Sequence, residues 1–295
     1  MITKSFKEYN SIEGSVVTIG TFDGIHLGHQ DIIHKLQEIS NKKKLKSIVL
    51  SFFPHPKIVL QNSTDIKLIN TLDEKVEILK KYNIDYFIIK EFTKEFSRLT
   101  ALEFVRDILV NTLNAKHLIV GYDHHFGRNR GANIIQLREF GEIYDFEVTE
   151  ISPRKINDIS ISSTKIRALL KEGKIDYANK YLDEYFVLTG MVVKGMGRGK
   201  LLGFPTANIK IKDEHKLIPN NGVYIVASCI DSKIYYGMMN IGKNPTFIDK
   251  NQSIEVHFFD LDYDIYDKNI TIKLIKRIRD EKKFNSPELL RDQLE

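Results

Sequence analysis

The sequence predicts an α/β protein in two parts, a doubly wound parallel sheet followed by a small closed barrel of antiparallel strands. Three observations carry that expectation. Strand-like and helix-like segments alternate up to about residue 183; from residue 184 onward strand-like segments succeed one another without a convincing helix; and Gly, Pro and Asn turns separate those later strands. The 295 residues suffice for two domains with cores of their own, and 42% hydrophobic with 28% charged residues is ordinary globular composition.

In chain order, SVVTIG (15–20) reads as a buried strand, and the helix after it spaces Ile32, Ile33, Leu36 and Ile39 at helical intervals. SIVLSFF (47–53), YFIIK (86–90), HLIVGY (117–122) and FEVTEI (146–151) continue the strands, giving five in all. LDEKVEILKKY, ALEFVRDILVNTL and NIIQLREFGEIY between them are amphipathic helices. The six later strands are FVLTGMVVKG, TANIKI, GVYIVASCI, KIYYGMMNIG, SIEVHFFDLD and NITIKLIKRIR. SPELLRDQLE closes the chain as a helix, with Ser286 as N-cap and Pro287 at its first position.

Composition bounds the function. The surplus of 44 basic over 39 acidic residues gives a net charge of +5, which permits an anionic ligand without calling for a nucleic acid. No run approaches about 18 apolar residues, so no membrane partner is expected, and the first residues lack the apolar core of a secretory signal. The single cysteine, Cys229, cannot pair internally, so a cytoplasmic setting is expected, with Cys229 packed in an apolar strand.

The chemistry is written in two helix starts. In TIGTFDGIHLGHQ a strand ends at Gly20, and a loop with Asp23, Gly24, His26, Gly28 and His29 leads into a helix. Glycines let backbone approach a ligand closely, and unpaired N–H groups at the helix start favour an anion. Two histidines three apart on that first turn can place donors on a phosphate. In ISSTKIRALL (161–170), Ser162, Ser163 and Thr164 open a helix and Arg167 follows one turn on, a set able to hold a polyphosphate. Each string alone is matched by a plain turn or N-cap; two in one α/β domain favour a nucleotide. Neither is a P-loop, because Leu201 follows Gly199-Lys200, and Gly195, Gly197 and Gly199 miss the dinucleotide pattern at Lys200. NKKKLK (41–46) reads as a solvated helix end, His124-His125 lack further ligands at zinc spacing, and Phe52, Phe53, Tyr82 and Tyr86 read as core.

The H-x-G-H loop with its downstream ISST-x-x-R helix resembles the nucleotidyltransferase α/β superfamily. GTFDGIHLGHQ, SFFPHP, GYDHHFG and ISSTKIR, in that order, resemble the bacterial bifunctional riboflavin kinase/FAD synthetases. LLGFPTANI, GVYIV, MNIGKNPTF, IEVHFFD and RIRDEKKFNSPELL resemble the riboflavin kinase module of the same family. The similarity spans essentially the whole chain.

The resemblance implies a Rossmann-like FMN adenylyltransferase domain over 1–183 and a riboflavin kinase barrel over 184–295. Riboflavin and ATP would give FMN, and FMN and ATP would give FAD and pyrophosphate, with Mg²⁺ as the metal. It implies His26 and His29 on the ATP phosphates as catalytic groups, with Gly28 in their loop. It further implies Ser163, Thr164 and Arg167 on the departing phosphates, and Gly20, Phe22 and Asp23 on the adenosine side. Pro56, Asn62 and Asp123 are candidates for the flavin side. In the barrel, Thr206 and Asn208 of P-T-A-N would bind Mg²⁺ and ATP, and Glu255 would be the general base.

The chain departs from the family at His124, where Phe is usual, at Lys200 and Asn244, where Arg is usual, and at Asp267, where Tyr-Gly is usual. An FAD synthetase with a weak or inactive kinase barrel is therefore the alternative. A single-strand-binding barrel is the reading from another class, and it predicts salt-sensitive oligonucleotide binding. Homo-oligomer formation stays open.

Overall fold

In a computed structural model, residues 1–10, 12–61, 66–156, 159–195, 199, 203–243, 252–282, 284 and 287–294 are described. They form two compact units, Met1–Ser163 and Thr164–Glu295.

The first unit is built on six parallel strands: β1 (Ile2–Ser5), β2 (Ser15–Ile19), β3 (Lys46–Phe53), β4 (Tyr86–Glu91), β5 (Ala115–Gly121) and β6 (Glu147–Ile151). They lie in the order β1-β4-β3-β2-β5-β6. Five are the strands expected. β1 was not; four residues with a polar alternation carry little signal, and it forms because parallel pairing with β4 covers an edge.

Alternate strand residues feed two cores. Val17, Ile19, Leu50 and Leu118 pack on one face, and Val16, Val49, Phe87 and Ile119 on the other. The first face is covered by α4 (Ala101–Glu103), which continues as a π-helical stretch over Phe104–Thr112, and by α5 (Ile134–Tyr144). The π-type register, with Leu113 N–H on the Ile108 carbonyl at 3.1 Å, is invisible to a 3.6-residue period. The second face is covered by α1 (Leu27–Lys43) and α3 (Leu72–Leu79). Two short pieces also went unexpected, the helix α2 (Pro56–Gln61) and the hairpin of β7 (Lys155–Ile156) with β8 (Ile159–Ser160).

Because β2 lies between β3 and β5, the chain reverses its direction of travel across the sheet there. Ligands of open α/β sheets gather at the carboxyl end of the strands at such a switch point. The glycine-rich loop leaves the sheet at that end of β2, and Asp123 follows β5 beside it.

In the second unit the six expected strands are all present: β9 (Phe186–Val193), β10 (Ala207–Lys210), β11 (Gly222–Ile230), β12 (Lys233–Lys243), β13 (Gln252–Phe258) and β14 (Asn269–Arg279). They close as a barrel in the order β10-β13-β12-β11-β14-β9, with β10 pairing antiparallel to β9. Alternation along the strands fills the inside with Tyr224, Val226, Met239, Ile254, Val256 and Leu274.

Helices α6 (Ser163–Lys171) and α7 (Ile175–Leu182) precede the barrel. The Asn179 amide donates to the Leu274 carbonyl at 2.9 Å and accepts from Phe186 N–H at 2.7 Å, which attaches α7 to β14 and β9. The compact units divide after the first residue of α6, so α7 belongs to the second unit, while residues 183 and 184 fall between α7 and β9. The final helix, α8, spans Pro287–Leu294.

Two core assignments are corrected. Cys229 is exposed, because its place on β11 alternates outward between buried Ser228 and Ile230. Phe53 is 43% exposed, because it ends β3 where the sheet stops.

Candidate active sites

The first site is built on the loop from Gly20 to His26. Three residues in it have positive φ: Phe22 at 46°, Gly24 at 92° and Ile25 at 41°. For a phenylalanine and a β-branched isoleucine this is strained backbone, which persists only where its surroundings over-determine it. Three loop carbonyls are held by side chains. The Thr21 carbonyl accepts from Lys75 Nζ at 2.6 Å and Ser51 Oγ at 3.3 Å. The Asp23 carbonyl accepts from Ser163 Oγ at 2.8 Å. Gln30 Nε2 donates to the Ile25 carbonyl at 3.0 Å.

His26 is the N-cap of α1 rather than a residue of its first turn. Its Nδ1 accepts from His29 N–H at 3.3 Å, and its carbonyl accepts from His29 and Gln30 N–H. Capping thus engages one ring nitrogen of His26. The two imidazoles stack at 3.7 Å between centroids, and the Phe22 ring borders His29 at 5.1 Å. Burial, then the neighbouring His26 and Lys75 charges, hold His29 well below the usual histidine range. Its Nδ1 is buried without a hydrogen-bond partner. Around neutral pH His29 therefore offers a neutral imidazole ring at the carboxyl end of the sheet.

The other predicted residues fall in three groups. Gly28 follows His26 in α1, where a Cβ would sit 3.4 Å from the His26 ring. Phe22 and Asp23 are buried, so what they can present to a ligand is backbone. The Asp23 carboxylate turns inward and accepts from Ile69 N–H at 3.0 Å and Asn70 N–H at 3.2 Å. Asp123 is exposed, near Gly121 at the end of β5. Pro56 opens α2 behind His55, whose Nδ1 accepts from Lys57 N–H at 3.2 Å. Asn62 lies outside the described residues. A cleft is lined by residues that include Asp23, Phe52, Phe53, His55, Asn70 and Lys75. Phe52 and Phe53 thus border a cleft instead of serving only as core.

Sequence reading missed Lys75 and Asn70. Lys75 sits at a buried position of α3, and a lysine there gives no pattern to find. Ser163 opens α6; Thr164 is exposed and Arg167 half-buried in the same helix.

The second site lies on the outer face of the barrel. Glu255 alternates outward between buried Ile254 and Val256. Register pairs it with Asn208 on β10 and with Asn240 on β12, so an amide flanks the carboxylate on each side. Asn208 lies where a Cβ on Gly195 would stand, and Thr206 Oγ1 lies 3.2 Å from the place of a Cβ on Gly199. His257 holds the loop between them, with Nδ1 2.8 Å from the Pro205 carbonyl and the Phe204 ring edge-on at 5.4 Å. Asn240 and His257 were not anticipated, because outward polar residues on a strand are ordinary and only the pairing register places these two beside Glu255 and Pro205. Lys200 and Asn244 lie outside the described residues. His124 stacks on Phe126 at 5.9 Å, and burial pushes its imidazole down to about 4. Among the described residues no group of His, Cys, Asp or Glu has metal-site geometry, and no helix is long and apolar enough to cross a membrane.

A family profile described as FAD synthetase matches residues 8–165, and one described as riboflavin kinase matches residues 182–295. The bifunctional riboflavin kinase/FMN adenylyltransferase of Buchnera aphidicola subsp. Schizaphis graminum is 39% identical, over 98% of this chain and 93% of its own. The chain belongs to this family. The Listeria monocytogenes and Escherichia coli (strain K12) members are 37% and 35% identical, covering 95% and 96% of this chain and 89% and 90% of theirs. A crystal structure described as a macrolide-efflux protein from Streptococcus pneumoniae superposes with a TM-score of 0.92 at 33% identity, covering 100% of this chain and 96% of that one. As a member of the family, the chain carries an FAD synthetase domain and a riboflavin kinase domain, in that order.

Proposed function

We propose that the two activities of this enzyme divide between the two sites: the strained loop with its histidine pair transfers an adenylyl group to FMN, and the outer face of the barrel phosphorylates riboflavin. The stacked His26–His29 pair at the switch point of the sheet carries the first assignment. An FMN phosphate oxygen attacks the α-phosphorus of ATP, the bond to the bridging oxygen breaks, and pyrophosphate leaves. No proton need be abstracted, so the residues contribute alignment and charge stabilisation. His26 Nε2 and the His29 ring would donate to the phosphates; Ser163, Thr164 and Arg167 would hold the departing ones. Gly20, Phe22 and Asp23 would border the adenosine through backbone, with Gly28 clearing the approach. Pro56, Asn62 and Asp123 would bound the flavin side.

In the barrel the terminal ribityl hydroxyl attacks the γ-phosphorus, its proton passes to the Glu255 carboxylate, and ADP leaves. The residues present fit Mg²⁺: a hydroxyl and an amide oxygen are hard donors, and they lie in space that Gly195 and Gly199 leave open. Thr206 and Asn208 would hold the ion, which supplies charge neutralisation on the phosphates. We place the functional boundary at 183/184, next to residue 182 where the riboflavin kinase profile begins, although α7 ahead of it is hydrogen-bonded to the barrel. We place the enzyme in the cytoplasm, where ATP and riboflavin meet, and assign it no nucleic-acid partner.

The test is to supply riboflavin and FMN separately, each with ATP and Mg²⁺. FMN from the first and FAD from the second are expected. FAD from FMN without FMN from riboflavin would sink the kinase assignment.

A further inference from the structure

Lys75 is a lysine only 8% exposed, placed on α3 where it lines the cleft with Phe52, Phe53, His55 and Asn70, and no motif accounts for it. Its Nζ donates to the Thr21 carbonyl at 2.6 Å. Thr21 immediately precedes Phe22, the first residue of the loop with strained backbone. The charge opposite is the buried carboxylate of Asp23, which attracts the ammonium while the backbone N–H groups of Ile69 and Asn70 hold it from the other side. One ammonium thus bonds the first carbonyl of the turn Thr21-Phe22-Asp23 and is attracted by the carboxylate at its other end. Burying an ammonium costs several kcal/mol unless it is paired and hydrogen-bonded, so a plain apolar residue would serve packing better.

We propose that Lys75 is a positioning residue for adenylyl transfer: by holding the Thr21 carbonyl and balancing Asp23 it keeps the strained loop in the conformation that presents His26 and His29. In this role it acts through the loop and not on a reacting atom. Its positive charge also adds to the factors that keep His29 uncharged. This inference rests on the assignment of adenylyl transfer to the histidine loop.

The experiment uses the full-length chain in a Cys229→Ser background, which removes the exposed natural thiol and leaves both activities unchanged. Lys75→Met keeps the length and the apolar stem. Lys75→Cys, alkylated with 2-bromoethylamine, rebuilds an ammonium at nearly the original reach. Lys75→Met and unmodified Lys75→Cys are expected to lose about 10- to 100-fold in kcat for FAD formation. The KM for FMN and ATP and the riboflavin kinase rate should stay within about threefold. Aminoethylation should restore at least a third of the wild-type kcat. Retention of more than half the kcat by Lys75→Met overturns the proposal. So does a loss that aminoethylation fails to restore while kinase activity is intact, since that marks a packing role. His29→Ala is assayed alongside: if it retains full FAD synthesis, the assignment of the loop has failed, whatever Lys75 does.

Discussion

The imidazole rings of His26 and His29 stack 14° from parallel, and the first ring caps the helix that carries the second. One residue thereby serves both the fold of α1 and the site. The two roles separate by substitution. His26→Asn keeps an N-cap acceptor and His26→Ala removes it, so only the alanine variant should lose about 1 kcal/mol of stability. Both should lose FAD synthesis by more than about tenfold. Urea unfolding and initial rates, measured on the same samples, check the pair.

The two activities should fail independently. Glu255→Ala is expected to abolish FMN formation from riboflavin and leave FAD formation from FMN intact, and His29→Ala to do the reverse. Product analysis by chromatography reads both. Loss of both activities in either folded variant would contradict the two-site division.

Metal dependence should map to Thr206 and Asn208. Thr206→Ala and Asn208→Ala should each raise the Mg²⁺ concentration for half-maximal kinase rate by about tenfold and leave the adenylyltransferase titration unmoved. His257→Phe, which removes the bond to the Pro205 carbonyl, should raise the KM for ATP in the kinase reaction alone. Initial rates across a Mg²⁺ series decide it.

Acid stability should depend on His124. Burial holds its imidazole near 4 in the folded chain, against 6.5 when free. The native state therefore binds fewer protons than the unfolded state between those values, and stability is lost as pH falls from about 6.5 towards 4. The loss is at most about 3 kcal/mol. His124→Phe removes the titrating group. Its melting temperature should drop less than that of the wild type between pH 7.5 and pH 5; parallel drops would refute the linkage.

Both domains, five of the six parallel strands and all six barrel strands were legible in the sequence, because apolar periodicity and turn residues are local signals. So were the contiguous motifs that nominate His26, His29, Thr206, Asn208 and Glu255 as candidate site residues. What required the tertiary structure was whatever depends on residues distant in the chain. β1 exists through its pairing with β4. Cys229 faces outward because the register of β11 turns it so. Asn240 meets Glu255 only through the pairing of β12 with β13. Lys75 reads as a misplaced charge on a helix until Thr21, 54 residues away, is seen beneath its ammonium. Sequence alone determines which segments form and which chemistry they carry, since both follow from neighbouring side chains. Tertiary structure decides which carbonyl a buried charge must satisfy and which backbone strain is thereby held, since burial and desolvation arise only once the chain has closed on itself.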